Sequence, residues 1–143
     1  VTLFDIGAKV PFIVRAPGLS KPGTKSEAMI ELIDIYPTLT DLAGLEAPNH
    51  LQGTSLRPLL GHPERLGKKK YAYSVVTRGP KNLGYALRNQ NWRYGKWPDG
   101  EELYNLRSDP QEKNNLAQKE HFKDRLDVFR KALTRQQELI QQN

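Results

Sequence analysis

The chain has 143 residues, of which 37% are hydrophobic and 27% are charged. These shares are close to those of ordinary soluble domains, and they argue against a disordered chain or a membrane protein. The sequence contains no Cys, which excludes a disulfide, a thiolate metal site or a cysteine nucleophile within these residues. Its 22 basic and 16 acidic residues give a net charge of +6, which suits an anionic partner such as a nucleic acid, an acidic polysaccharide or a sulfated substrate.

Two further features of the sequence are the length of its apolar runs and the way it begins. No apolar run reaches the roughly 18 to 20 residues that span a bilayer. The chain opens at Val1 in apolar, strand-like sequence, and its only methionine is Met29. We interpret this opening as the continuation of a longer polypeptide.

The first half of the chain alternates short packing elements with loops. A nearly continuous apolar run predicts a buried strand over Val10–Arg15, of the kind that lies in a parallel sheet. Apolar residues at helical spacing predict a helix over Asp34–Ala43, with Asp34 as its N-cap and Gly44 in the left-handed position after the last turn. The Pro- and Gly-rich stretch from Glu46 to Gly67 predicts a covering loop anchored by leucines.

The second half predicts a small antiparallel sheet followed by a helix. Turn residues separate four β-type stretches, which are Tyr71–Thr77, Gly84–Arg88, Trp92–Lys96 and Glu102–Leu106. A helix follows over about Gln118–Gln141, and we expect its apolar face to lie across the sheet. The predicted domains are therefore residues 1–66, which end a larger α/β domain, and residues 67–143, which form the sheet with its terminal helix.

No self-sufficient catalytic centre can be read from these residues. The chain has three histidines, which are His50, His62 and His121. Their spacing does not place two metal ligands on one helix face, so we interpret them as exposed polar residues. Three carboxylates crowd one predicted turn, namely Asp99, Glu101 and Glu102. A polar hairpin tip explains them better than a site for a hard cation, and we predict no catalytic residue and no metal ligand in this chain.

Three stretches resemble, in their order and spacing, the C-terminal third of sulfatases. They read TLFDIGAKVPFIVRAPG, IDIYPTLTDLAGLEAPNHLQGTSLRPLL and ELYNLRSDPQEKNNLAQ, and with GYALRNQNWRYGKWPDG they cover nearly the whole chain. Each stretch alone is unspecific, whereas their joint order is specific. The forms MIELIDIYPTL and GYALRNQNWRY are similar to the iduronate-2-sulfatase-like branch. We interpret the ELYNLRSDPQEKNNLA stretch as structural.

The resemblance implies an α/β fold class: the end of an alkaline-phosphatase-like sulfatase α/β domain, then a small four-stranded antiparallel sheet packed by a C-terminal helix. It implies that the full-length enzyme hydrolyses sulfate esters of an acidic sugar, with a formylglycine and a bound calcium. In that family the formylglycine, the calcium ligands and the histidines all precede the TLF stretch. The resemblance therefore implies that this segment binds no cofactor, is inactive alone and needs an N-terminal sulfatase portion as its partner.

The resemblance also suggests substrate contacts for three residues. Arg78, on the loop between two predicted strands, lies where the iduronate branch tends to place a basic residue facing an acidic sugar. A guanidinium forks onto a carboxylate or a sulfate, and a surface arginine at a turn is the alternative. Arg88 is a second candidate, although a hydrogen-bonded anchor of the sheet is its more ordinary role. Trp97 either stacks on a sugar face or packs in the core.

Two other interpretations stay open. The basic surface and the NWRYGKW alternation suit an independent module that binds acidic glycans or nucleic acid, although no known nucleic-acid-binding motif is present. The chain can also be a structural remnant without a partner. An exposed strand over Val10–Val14 would lead the isolated chain to self-associate. The resemblance favours the periplasm, secretion or a lysosome-like compartment.

Overall fold

The computed structural model describes residues 2–79 and 82–141, which form two compact units. One unit is residues 11–70, and the other joins residues 2–10 to residues 71–141. Residues 2–10 therefore belong to the same unit as the strands. Within the described ranges, no helix is long and apolar enough to cross a membrane.

The helices and strands follow the predicted order from the middle of the chain onward. The helices are α1 (Asp5–Ala8), α2 (Ile35–Leu42), α3 (Arg57–Gly61) and α4 (Lys123–Gln141). The strands are β1 (Ala72–Thr77), β2 (Leu83–Arg88), β3 (Trp92–Trp97) and β4 (Gly100–Asn105). Short 3₁₀ turns at Leu32–Asp34 and Glu120–Phe122 lead into α2 and α4.

The predicted helix in the unit of residues 11–70 is confirmed as α2, but its N-terminus is built differently. Asp34 makes no side-chain hydrogen bond that caps α2. Its buried carboxylate accepts hydrogen bonds from the backbone N–H groups of Glu31 and Thr54, at 2.9 and 2.8 Å, and from Lys69 Nζ at 2.7 Å. Asp34 is the N-cap residue by position, as predicted, but its side chain does not cap α2 because donors from the preceding turn and from distant loops take up its carboxylate.

The strand predicted over Val10–Arg15 was also wrong. The structure assigns no strand to these residues, and Phe12 and Ile13 are 37% and 91% exposed. An apolar run forms a strand only where a neighbouring strand provides hydrogen-bond partners. In the part of the chain that the structure describes, the one sheet contains β1 to β4 alone.

The antiparallel sheet is confirmed, with strand order β1-β2-β3-β4. Side chains alternate between its two faces because successive residues of a strand point in opposite directions. One face meets α4 in a core of six buried residues, which are Leu87, Tyr94, Leu103, Leu126, Phe129 and Leu133. Each such side chain stabilises the fold by about 1.5–3 kcal/mol, so the predicted packing of the terminal helix across the sheet is confirmed.

The second face of the sheet is partly covered by the start of the chain. Leu3 is 1% exposed and packs with Ala86 and Trp97. The ring of Phe4 lies 5.8 Å from the ring of Tyr104. These contacts explain why residues 2–10 belong to the sheet unit, since they bury apolar surface that β2, β3 and β4 leave open.

Candidate functional site

Arg78 and Trp97 lie together on the second face of the sheet. The Arg78 guanidinium carbon is 4.2 Å from the centroid of the Trp97 ring. Trp97 ends β3 and is only 7% exposed, whereas Arg78 follows β1 and is exposed. The Arg78 backbone N–H donates to the Asn82 carbonyl at 2.8 Å, which closes the loop between β1 and β2. The structure thus places Trp97 in the core, with Arg78 stacked on its ring.

The Trp97 ring also lies against the backbone of β2. A Cβ atom built on Gly84 would come within 2.5 Å of Cη2 and Cζ3 of Trp97. Real Cβ atoms do not approach another atom so closely, so only glycine leaves room for the indole here. The ring is therefore held between Gly84 and the core residues Leu3 and Ala86.

Arg88, the third predicted contact residue, lies elsewhere on this face. Its Nε donates to both carboxylate oxygens of Asp5, at 2.8 and 3.1 Å. Arg88 follows Gly84 by four residues along β2, which corresponds to about 13 Å. The structure therefore brings Arg78 and Trp97 together but not Arg88, whose guanidinium anchors α1 to the sheet.

A buried ion pair that no sequence pattern indicated lies beside Arg88, because Arg93 of β3 is the strand partner of Arg88. Arg93 is 1% exposed, and its Nε donates to Glu112 Oε1. The other Glu112 oxygen accepts the Asp5 backbone N–H at 2.7 Å. The Arg93 guanidinium carbon lies 4.4 Å from the Phe4 ring centroid and 4.7 Å from that of Tyr104. Glu112 belongs to the DPQE sequence, so this contact gives the predicted structural role of that stretch a physical basis.

The electrostatics of the second face single out Arg78. Arg88 pairs with Asp5, and Arg93 pairs with Glu112 and, at 3.2 Å, with Glu102 Oε2. Among residues 2–79 and 82–141, no carboxylate lies within ion-pair distance of Arg78, whose guanidinium contacts the Trp97 ring. A guanidinium that stays charged at neutral pH and has no acidic partner in the described ranges is available to an external anion.

Two of the three crowded carboxylates of the β3–β4 hairpin, Glu101 and Glu102, are paired with cations of the chain itself. Glu101 accepts hydrogen bonds from Arg130 Nε at 3.0 Å and from the Tyr94 hydroxyl at 2.6 Å. The Arg130 hydrogen bond lowers the pKa of Glu101 to about 2, and burial raises the pKa of Tyr94. Among the described residues, no three His, Asp or Glu side chains could hold a metal ion. The described residues therefore do not form a site for the calcium that the resemblance implies, whose ligands it places before the TLF stretch.

The pH dependence of stability tests the Glu101 pair. The carboxyl has a pKa of about 2 in the folded chain and about 4.3 when unfolded. Its stabilising contribution is therefore complete above the unfolded pKa and is lost as the pH falls from about 4.3 to 2. We expect Glu101→Gln to lower the unfolding free energy by about 1 kcal/mol at pH 7, since solvent screens the half-exposed Arg130, and by progressively less towards pH 2.

Urea denaturation followed by circular dichroism at several pH values measures this loss. Asp99→Asn, at the exposed tip of the same hairpin, is the matched control and should change stability by less than about 0.5 kcal/mol. A Glu101→Gln loss that is the same at pH 7 and at pH 3 would contradict the assigned pair.

The unit of residues 11–70 has a cavity of its own, of about 260 Å³. Apolar side chains such as Leu56 and Leu59 line it together with Lys68 and Lys69. The Lys69 ammonium is already bound by Glu31 and Asp34. The lysine run of residues 68–70 therefore offers less free positive charge at this cavity than its sequence indicates.

The sequence and fold are similar to those of known sulfatases. A sulfatase of Formosa agariphila is 34% identical over 132 residues, covering 92% of this chain and 25% of the relative. Arylsulfatase K of Homo sapiens is 31% identical over 135 residues, covering 83% of this chain and 24% of the relative. The structure of BT4656 in complex with its substrate D-glucosamine-2-N,6-O-disulfate matches with a TM-score of 0.84 and 28% identity, over 92% of this chain and 28% of that chain.

These comparisons agree with the fold class that the resemblance implied. The chain spans about a quarter of the length of the relatives it matches. Residues 2–139 match the family described as N-sulphoglucosamine sulphohydrolase, C-terminal. Since this match covers nearly the whole sequence, the chain belongs to that C-terminal sulfatase family.

Proposed function

We propose that this chain is the C-terminal portion of a sulfatase that hydrolyses sulfate esters of an acidic sugar. In this proposal it supplies part of the substrate pocket wall and the specificity, whereas the formylglycine and calcium chemistry belongs to the rest of the enzyme. The observation that carries the proposal is the stacked, exposed guanidinium of Arg78, which has no carboxylate partner among the described residues. The disulfated glucosamine bound by BT4656 supports a sulfated sugar as the ligand.

The geometry of the Arg78 stack suits an oxyanion. The guanidinium carbon lies over the indole at 4.2 Å from the ring centroid, and the N–H groups of a guanidinium lie in its plane and point outward from its edge. A carboxylate or a sulfate can accept two of these N–H groups side by side, which is the strong, forked form of the bond. Trp97 then acts as a support for Arg78, and a sugar contact by Arg88 would require it to exchange Asp5 for the substrate.

The finer assignments follow from the resemblance and are part of the proposal. We infer that the enzyme belongs to the iduronate-2-sulfatase-like branch and acts on an acidic sugar of a glycosaminoglycan or another sulfated polysaccharide. Enzymes that degrade such polymers meet them outside the cytoplasm, so we infer a periplasmic, secreted or lysosome-like location.

A titration with D-glucosamine-2-N,6-O-disulfate, followed by NMR, tests the role of Arg78. We expect Arg78→Ala to weaken binding about tenfold, because a charge-assisted, forked hydrogen bond is lost. Arg107→Ala removes an exposed arginine of the same unit and is expected to change the affinity less than about twofold.

Two outcomes would count against the proposal. Equal losses in Arg78→Ala and Arg107→Ala would show that the ligand responds only to the net charge of the chain. No loss in Arg78→Ala would exclude this residue as the anion contact. Parallel titration with glucuronate distinguishes a carboxylate from a sulfate as the group that Arg78 binds.

The alternative of an independent nucleic-acid-binding module loses its main support in the structure. That interpretation depends on exposed aromatic residues on which bases can stack. Tyr94 and Trp97 are 1% and 7% exposed, and the Trp92 ring packs 5.8 Å from the Phe122 ring. The NWRYGKW alternation therefore reflects the two packed faces of β3.

We further propose that residues 11–70 dock against the remaining portion of the sulfatase. Four apolar residues of the 3₁₀ turn and α2 are between 52% and 67% exposed, namely Leu32, Ile33, Tyr36 and Leu39. We call this set the apolar stripe. Clustered exposed apolar side chains mark an interaction site, and the relatives have three-quarters of their length outside the matched region. The partner proposed for the stripe is therefore the portion of the enzyme in which the family places its catalytic residues.

A further inference from the structure

We propose that Gly84 is a positioning residue for Arg78, acting through the Trp97 ring. This inference rests on the proposed role of Arg78 in binding an anion. Gly84 makes no contact with a ligand in this account. It determines where the indole lies, and the indole determines where the guanidinium lies.

The occurrence of glycine inside β2 is the first observation. Gly84 lies in the strand and is paired with Val76 of β1. Its backbone is not in the left-handed region, so the strand conformation itself would accept any residue. Glycine is unfavourable in the interior of a strand, and the reason for its presence must be the close approach of another group. The Trp97 ring is that group, since a Cβ at position 84 would lie 2.5 to 2.7 Å from three of its atoms.

The second observation is the chain of contacts from Gly84 to Arg78. An exposed arginine samples many rotamers, and the loss of that freedom opposes binding. Stacking on Trp97 at 4.2 Å restricts the Arg78 guanidinium before a ligand arrives. The buried indole cannot move aside freely. A methyl group at position 84 can therefore be accommodated only if the ring shifts, and that shift alters the surface that supports Arg78.

Gly100 provides the matched control. It is the direct partner of Trp97 across β3 and β4, yet a Cβ built on it would meet no atom within 4 Å. Gly84→Ala and Gly100→Ala therefore make the same chemical change beside the same tryptophan, and only the first collides with its ring.

A double-mutant cycle with D-glucosamine-2-N,6-O-disulfate tests the inference. Gly84→Ala is expected to weaken binding about fivefold and to shift the indole N–H signal of Trp97, whereas Gly100→Ala does neither. In the Arg78→Ala background, Gly84→Ala is expected to have no further effect on affinity, because it acts only through Arg78. Trp97→Phe gives Arg78 a smaller ring to stack on and introduces no clash with position 84. Its effect on affinity should also depend on Arg78, and it replaces Gly84→Ala in the cycle if that variant does not fold.

The outcomes separate this inference from the proposed function. If Arg78→Ala leaves binding unchanged, the proposed function fails at Arg78 itself. If Arg78→Ala weakens binding but Gly84→Ala and Trp97→Phe do not, or if their effects persist in full without Arg78, the proposed function stands and the positioning role of Gly84 is overturned.

Discussion

Replacing Glu112 with glutamine is expected to lower the free energy of unfolding by about 3 kcal/mol, because the change leaves the buried Arg93 charge without its closest anion. The two side chains are 3% and 1% exposed, so water cannot solvate the guanidinium in place of the carboxylate. Glutamine keeps the size of the side chain and its capacity to accept the Asp5 N–H. The loss therefore reports on charge and not on a cavity. Urea denaturation followed by circular dichroism measures it.

The control for this prediction is an ion pair of the same type at the surface. Glu120 and Lys123 lie 3.4 Å apart, with side chains 87% and 64% exposed. Glu120→Gln is expected to change stability by less than about 0.5 kcal/mol, since exposed pairs are weak. Similar losses in the two variants would mean that Arg93 is not held by Glu112 in a dry environment. Domains of this size are stable by only about 5–15 kcal/mol, so the predicted difference is easily resolved.

Replacing Tyr36 and Leu39 together with serine is expected to weaken self-association of the isolated chain about tenfold or more, because the apolar stripe loses both of its side chains on α2. Both residues are more than half exposed, whereas the helix is held by its buried residues Pro37 and Thr38. The change should therefore leave α2 folded. Sedimentation velocity over a range of concentrations measures the association, and far-ultraviolet circular dichroism checks the helix content.

Val128→Ser is the matched control for the apolar stripe. Val128 is 47% exposed on α4, in the unit that does not contain the stripe. Its replacement by serine should leave the self-association of the chain unchanged. A chain that remains monomeric at all concentrations would contradict the expected self-association through the stripe. Equal effects of the control and of the double variant would show general stickiness and not a defined surface.

The elements that the sequence predicted well are those that depend on nearby residues. The four strands and α4 follow from alternation and helical spacing within single segments, and their partners are adjacent in the chain. Val10–Arg15 has an equally strong apolar pattern, but a strand also needs a neighbour with which to pair. Hydrophobic pattern cannot supply that information, so this element was predicted and is not found.

Contacts of the candidate site that join distant segments could not be predicted from local sequence patterns. Arg78 was proposed from the family resemblance, but its stacking on Trp97 depends on the registers that align β1 with β2 and β2 with β3. The Arg93–Glu112 pair joins residues 19 positions apart, and Glu112 reaches Asp5 across 107 positions. No periodicity marks such contacts. Gly84 carried a signal that could have been used, since a glycine inside a strand often marks the close approach of another group.

The measurement that tests the central claim most directly is the binding of D-glucosamine and of its 2-N,6-O-disulfate to the unaltered chain, followed by NMR. We expect the disulfate to bind more tightly than the unsulfated sugar and the shifted signals to include the Arg78 side chain and the Trp97 indole. Equal binding of the two sugars, or shifts confined to the lysines of residues 68–70, would contradict a sulfatase pocket wall built around Arg78.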